Sequence, residues 1–150
     1  MKYYFEDQEK QKQLKVVLDE WLDTPFRHHC GVKGLGTDCI QFVARVFEEM
    51  GILTWKKNLF PNYAYDIHLH KATGLLTEGI EKNFNVEKCN LKSPMNGDII
   101  LFHIGHDEAH VAIYFDGYIY QSLTSIGVCK IIFTDRIFNK KMVFLYRILN

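Results

Sequence analysis

The change in hydrophobic period along the chain is the feature that most constrains its fold. Apolar residues recur at helical spacing in residues 6–23 and again in residues 39–50. After the turn "SPMNGD", short segments rich in β-branched and aromatic residues follow one another, separated by Gly, Asp or Asn. This order of elements predicts an α+β fold, with amino-terminal helices packed on a carboxy-terminal antiparallel β-sheet.

Local signals set the bounds of these elements. The first helix is expected to stop before Pro25, and the second to run from a cap at Thr37 or Asp38 to Gly51. A weaker pattern in residues 71–84 predicts a third helix despite two glycines, and residues 24–37 are expected to form a loop. The predicted strands are "DIILFHI", "HVAIYF", "YIYQSL", "VCKIIFT" and "MVFLYRIL", and "FDGY" predicts a tight hairpin between two of them.

Length and composition narrow the class of protein. A chain of 150 residues with 47% hydrophobic residues is expected to form a single domain over 1–150. Basic and acidic residues balance at 18 each, which argues against a nucleic-acid-binding surface. The polar amino terminus and the lack of a long apolar run predict synthesis in the cytoplasm without a signal peptide, and no membrane insertion.

Cys39 occupies a position suited to a nucleophile. It follows a glycine-rich loop and falls in the first turn of the second predicted helix, where the helix dipole is expected to lower a thiol pKa. Backbone amides of that turn are candidates to bind a developing oxyanion. The four cysteines form no C-x-x-C pair of the kind found in zinc sites.

A cysteine nucleophile needs a base, and the base needs an orienting partner. Strand alternation puts His110 and Gln121 on corresponding faces of the two hairpin strands, so they can be neighbours. The two reach Cys39 together if that face is the one turned toward the helix. A buried core cysteine and a structural histidine remain open alternatives from the pattern alone.

Two blocks of the chain resemble the NlpC-like cysteine peptidases. They are "TPFRHHCGVKGLGTDCIQFVARVFEEMGI" and "NGDIILFHIGHDEAHVAIYFDGYIYQS". Those enzymes, from bacteria and phages, have a papain-like core and cut peptidoglycan stem peptides. The loop "RHHCGVKGLGTDC" is most similar to the phage-tail branch, and the resemblance extends from about Trp21 to Gln121.

The resemblance implies roles for individual residues. Cys39 would be the nucleophile, His110 the general base and later acid, and Gln121 the orienting polar residue. Asp38 would contact the free amine of a stem peptide as well as cap the helix. The chain also departs from the family, because Phe26 replaces a frequent tyrosine near the oxyanion site and Ile40 stands where serine is common.

Other polar and aromatic residues are candidates for ligand roles. Phe26 and His29, in the loop before Cys39, and Tyr63, in the aromatic segment "PNYAYD", are predicted substrate contacts. His103, His106 and His110 have metal-ligand spacing only on a helix, and the strand pattern argues against one. "GVKGLGTD" lacks the lysine and hydroxyl residue of a phosphate loop, so no metal, nucleotide or organic cofactor is predicted.

The sequence therefore predicts a cysteine amidase that hydrolyses an amide bond of a cell-wall peptide through a thioester acyl-enzyme. One alternative is an acyltransferase with the same fold, and another is an inactive scaffold or wall-binding subunit. The loop resemblance and the missing signal peptide suggest the hypothesis of a tail-associated or lysis-associated role. In that role the chain would be associated with the virion or reach the cell wall by another route, with phage-tail or other protein partners.

Overall fold

The helices precede the six-stranded sheet in the folded chain, as the sequence predicts. The structure, a computed structural model, describes residues 1–54, 56, 59, 74–104, 107–134 and 142–150. Its helices are a 3-10 turn at Tyr4–Glu6, α1 at Gln8–Trp21, α2 at Cys39–Glu49 and α3 at Leu75–Asn83. Its strands are β1 at Gly31–Val32, β2 at Gly36–Thr37, β3 at Val86–Cys89, β4 at Ile99–Ile104, β5 at Asp107–Phe115, β6 at Tyr118–Leu123, β7 at Gly127–Ile132 and β8 at Met142–Ile148.

Six strands form one antiparallel sheet in the order β3-β8-β4-β5-β6-β7. The "FDGY" segment makes the predicted hairpin between β5 and β6, since Asp116 and Gly117 both have positive φ (53° and 84°), as this tight turn requires. The hairpin fixes the register, with Ile113 opposite Tyr120. Residues near the site thus have neighbours set by a local turn.

The two faces of this sheet bury different residues. The face toward the helices contributes Leu101, Val111, Ile113, Tyr120 and Val128 to the main core, against Phe42, Val43, Val46 and Phe47 of α2. The opposite face buries a smaller cluster: Ile100, Phe102, Ala112, Ile119 and Leu145. Alternation along each strand accounts for this division.

The loop between α1 and α2 is more ordered than its composition predicts. It contains the two-residue strands β1 and β2, which pair with each other. Thr24 fastens this loop, because its hydroxyl accepts the Gly34 amide at 3.0 Å and its carbonyl accepts the Val128 amide at 2.8 Å. The loop before Cys39 is thereby tied to β7.

Two expectations about the strands were wrong or incomplete. Strand β3 was not predicted, and it joins the edge of the sheet by pairing with β8 far along the chain. Strand β5 starts at Asp107, three residues before the predicted start at His110. In the described residues, no helix is both long and apolar enough to cross a membrane.

Candidate active site

Cys39 is the first residue of α2, and Asp38 caps the helix in front of it. The Asp38 carboxylate accepts the Gln41 amide at 2.8 Å, which is the usual N-cap contact. Its second oxygen accepts the His29 amide at 2.7 Å, and His29 has an unusual positive φ of 58°. The Asp38 side chain therefore caps α2 and also binds the loop that precedes it.

Asp38 was also predicted to contact substrate. Its side chain is only 2% exposed, and both of its oxygens accept backbone amides. The structure thus assigns it the capping role, while the substrate contact stays a prediction.

The sulfur of Cys39 lies against the peptide that joins His110 to Val111. The amide of Val111 contacts the thiol, as do the amides of Cys39 and Ile40, and these contacts favour the thiolate. Although Cys39 keeps part of its surface exposed, burial has the larger influence and, with the charge of Asp38, raises the pKa of the thiol to about 12. The expected lowering by the helix dipole is thus outweighed, and the resting thiol is neutral.

His110 and Gln121 form a buried hydrogen-bonded pair. The His110 Nε2 and Gln121 Oε1 atoms are 2.7 Å apart, and the two side chains are 7% and 0% exposed. With Oε1 as acceptor, the ring carries its proton on Nε2 and leaves Nδ1 as the basic nitrogen. Burial lowers the pKa of His110 against the opposing effect of the Gln121 hydrogen bond, so the ring is neutral at neutral pH and able to accept a proton.

The thiol and the imidazole belong to different faces of the sheet. From strand alternation alone, His110 and Gln121 reach Cys39 together only if their face is turned toward the Cys39 helix, and in the structure that face is turned away from it. Helix α2 and Cys39 pack on the Val111 face, whereas the His110 ring packs with Phe102 of the opposite cluster, with ring centroids 5.2 Å apart. The sulfur instead reaches β5 at the backbone next to His110.

Two amides of the first turn of α2 are available for an oxyanion. The Asp38 side chain takes the amide of Gln41, and the Asp38 carbonyl takes that of Phe42. Within the described part of the chain, the amides of Cys39 and Ile40 make no hydrogen bond to a protein oxygen, and both lie at the sulfur. Their role as oxyanion donors stays a prediction.

Two of the remaining predicted substrate contacts, Phe26 and His29, lie in the loop between α1 and α2. Phe26 is partly buried and its backbone bridges to Thr37, while His29 is exposed and its ring stacks on that of His28 at 3.8 Å. Tyr63 lies outside the described residues. Ile40, which departs from the family pattern, is 3% exposed and packs in the main core.

The histidines that the structure describes do not form a metal centre. His103 is exposed on β4, and His106 lies outside the described residues. Among the residues that the structure describes, no group of three or more His, Cys, Asp or Glu side chains could hold a metal ion. Two surface depressions described there lie along α1 and touch neither Cys39 nor His110.

Two features of the site were not found from the sequence. The Val111 amide at the thiol is a backbone group, so no residue pattern signals it. Ser122 is 1% exposed and donates from its hydroxyl to the Thr37 carbonyl at 2.8 Å. Its place beside Gln121 in "YQS" was the one available hint.

Comparison with known proteins identifies a family. A model of the NlpC/P60 family matches residues 23–143. No curated protein sequence matches the chain.

Three solved structures illustrate the likeness. An NlpC/P60 family protein from Bacillus cereus is 19% identical, with a TM-score of 0.66 over 93% of this chain and 40% of its own. A lipoprotein-like NLP/P60 family protein from Staphylococcus aureus is 17% identical, with a TM-score of 0.65 over 96% and 43%. The peptidoglycan hydrolase RipB from Mycobacterium tuberculosis is 16% identical, with a TM-score of 0.60 over 95% and 66%.

At these identities the likeness establishes the fold, a papain-like α+β arrangement. The chain spans less than half the length of the Bacillus and Staphylococcus proteins.

Proposed function

The chain belongs to the NlpC/P60 family, and on that premise we propose that it is a cysteine hydrolase that cleaves an amide bond in peptidoglycan stem peptides. The observation that carries the proposal is the neutral His110–Gln121 pair, 2.7 Å apart, beside a thiol that contacts the next backbone amide. The likeness to a peptidoglycan hydrolase supports the cell-wall substrate.

The reaction begins with a neutral thiol and a neutral imidazole. In the proposed first step, Cys39 Sγ attacks the amide carbonyl of the substrate while its proton moves, directly or through one water, to Nδ1 of His110. Gln121 Oε1 accepts the Nε2–H throughout and holds the ring in the tautomer and orientation that this transfer needs. Proton transfer during attack, rather than a preformed thiolate, follows from the raised pKa of Cys39 and the lowered pKa of His110.

The intermediate then collapses to an acyl-enzyme. The amides of Cys39 and Ile40 donate to the oxyanion, and the imidazolium of His110 protonates the departing amine as the carbon–nitrogen bond breaks. This leaves a thioester on Cys39. His110 next takes a proton from water, whose oxygen attacks the thioester, and returns that proton to the sulfur as the carboxylic acid leaves.

A scaffold without activity is the second candidate, and two features of the site favour it. Burial raises the pKa of Cys39 to about 12, and Gln121 stabilises an imidazolium less than a carboxylate would. Digestion of purified peptidoglycan separates the two functions. We expect new amine and carboxyl ends with the native chain and none with Cys39→Ala or His110→Ala, whereas equal fragment release by all three, or none by any, contradicts a cysteine hydrolase.

An association with a phage tail or with lysis is a separate proposal, based on the resemblance of the loop before Cys39. Quantitative mass spectrometry of purified phage particles carrying this chain tests it. Stoichiometric recovery with tail proteins is expected, and its absence from intact particles would contradict tail association.

A further inference from the structure

Strand β6 carries two adjacent polar residues that are almost fully buried. Gln121 is 0% exposed and Ser122 is 1% exposed. The Ser122 hydroxyl donates to the carbonyl of Thr37, two residues before Cys39, at 2.8 Å. No step of the proposed reaction uses this hydroxyl.

Neighbouring residues on a strand point to opposite faces of the sheet. Gln121 bonds His110 on one face, and Ser122 bonds the segment before the nucleophile on the other. The thiol lies on one face of the sheet and the His110–Gln121 pair on the other. Because Gln121 and Ser122 are neighbours on β6, this one strand fixes the thiol and the pair relative to each other. We infer that Ser122 is a positioning residue that aligns Cys39 with the His110–Gln121 pair, an inference that rests on the proposed function.

The hydrogen bond of Ser122 is not needed to satisfy the backbone. The Thr37 carbonyl also accepts the amide of Arg27 at 3.1 Å, so it keeps a partner when the hydroxyl is removed. Alanine at position 122 would also keep most of the buried volume. The variant Ser122→Ala should therefore fold, and its effect should lie in alignment, to which reaction rates are sensitive even for small displacements.

The test compares Ser122→Ala with Ser125→Ala, a matched control at an exposed serine in the following turn. We expect kcat for peptidoglycan fragments to fall about three- to tenfold in Ser122→Ala, the factor that corresponds to the loss of one buried hydrogen bond, with KM changed less than about twofold. Ser125→Ala should match the native chain.

Alkylation by iodoacetamide gives a readout that does not depend on turnover. The rate at Cys39, resolved by peptide mass spectrometry, should fall by the same factor as kcat, while the rate at half-buried Cys129 stays unchanged. A general loosening of the fold would instead raise the Cys129 rate.

Each outcome decides the inference. An unchanged Cys39 rate in Ser122→Ala, or a raised Cys129 rate accompanying its fall, overturns the positioning role. If the native chain releases no peptidoglycan fragments, the proposed hydrolase fails, and the alkylation rates still decide whether Ser122 aligns Cys39.

Discussion

Replacing Gln121 by leucine should separate the stability of the fold from the reactivity of the site. Among the described residues, the native Gln121 side chain hydrogen-bonds His110 and leaves its Nε2 group buried without a partner. A buried unsatisfied donor costs about 1–3 kcal/mol. Leucine removes that donor but leaves the His110 Nε2–H without its acceptor, at a similar cost.

The two costs nearly cancel, so the free energy of unfolding of Gln121→Leu should lie within about 1 kcal/mol of the native value. The catalytic consequence does not cancel, because the ring loses the contact that selects its tautomer and orientation. We expect kcat/KM to fall about 10- to 100-fold, part of the contribution of a general base.

Urea unfolding and hydrolysis of peptidoglycan fragments measure the two quantities. Ile119→Val is the matched control, since Ile119 is a fully buried residue on the same face of β6. It should lose about 1 kcal/mol of stability and keep its kcat/KM. The reasoning is refuted if Gln121→Leu keeps kcat/KM within twofold, or if its activity is lost only together with several kcal/mol of stability.

Three further changes test other parts of the account. Asp38→Asn should lower the unfolding free energy by about 1–3 kcal/mol, because one buried amide loses its charged acceptor. The same change should lower the pKa of Cys39, because it removes a nearby negative charge. Urea unfolding and alkylation against pH measure the two effects, and a raised thiol pKa would contradict the prediction. In a pH–rate profile, kcat/KM should fall on the acid side with an apparent pKa below the ordinary histidine pKa of about 6.5, because burial lowers the pKa of His110 and only the neutral ring accepts a proton. An apparent pKa above about 6.5 on that side would argue against His110 as the base. Gly127→Ala should lower the unfolding free energy, measured with urea, by about 1–3 kcal/mol more than Gly117→Ala does. Both glycines have φ of 84°, but a Cβ at 127 would lie 2.3 Å from a backbone oxygen, whereas a Cβ at 117 meets no atom within 4 Å. Equal losses of stability would contradict this steric explanation.

Local signals predicted the elements around the site. Asp38 is a strong cap in front of an apolar helical face, and α2 begins at Cys39. The "FDGY" turn fixes the β5–β6 register, and continuing that register puts Ala112 opposite Gln121 with His110 on the diagonal. The observed contact between His110 and Gln121 follows from this turn, although their catalytic roles stay a proposal.

Tertiary packing decided what the sequence could not predict. Strand β3 is short and partly exposed, and it is a strand because β8 pairs with it from the far end of the chain. The face that α2 covers depends on how the whole sheet packs, so the alternation of β5 alone did not determine it. The direction of the Cys39 pKa shift likewise depends on burial, which outweighs the local amides.

The central claim is that His110 activates the thiol of Cys39, and the rate of Cys39 alkylation by iodoacetamide against pH tests it most directly. In the native chain we predict a rate that rises with the deprotonation of His110, below pH 6.5, and that exceeds the rate expected for a thiol of pKa about 12. His110→Ala should lose this rise and react appreciably only at high pH, while His103→Ala, at an exposed histidine on β4, should behave as the native chain. The same pH profile in the native chain and in His110→Ala would contradict the claim.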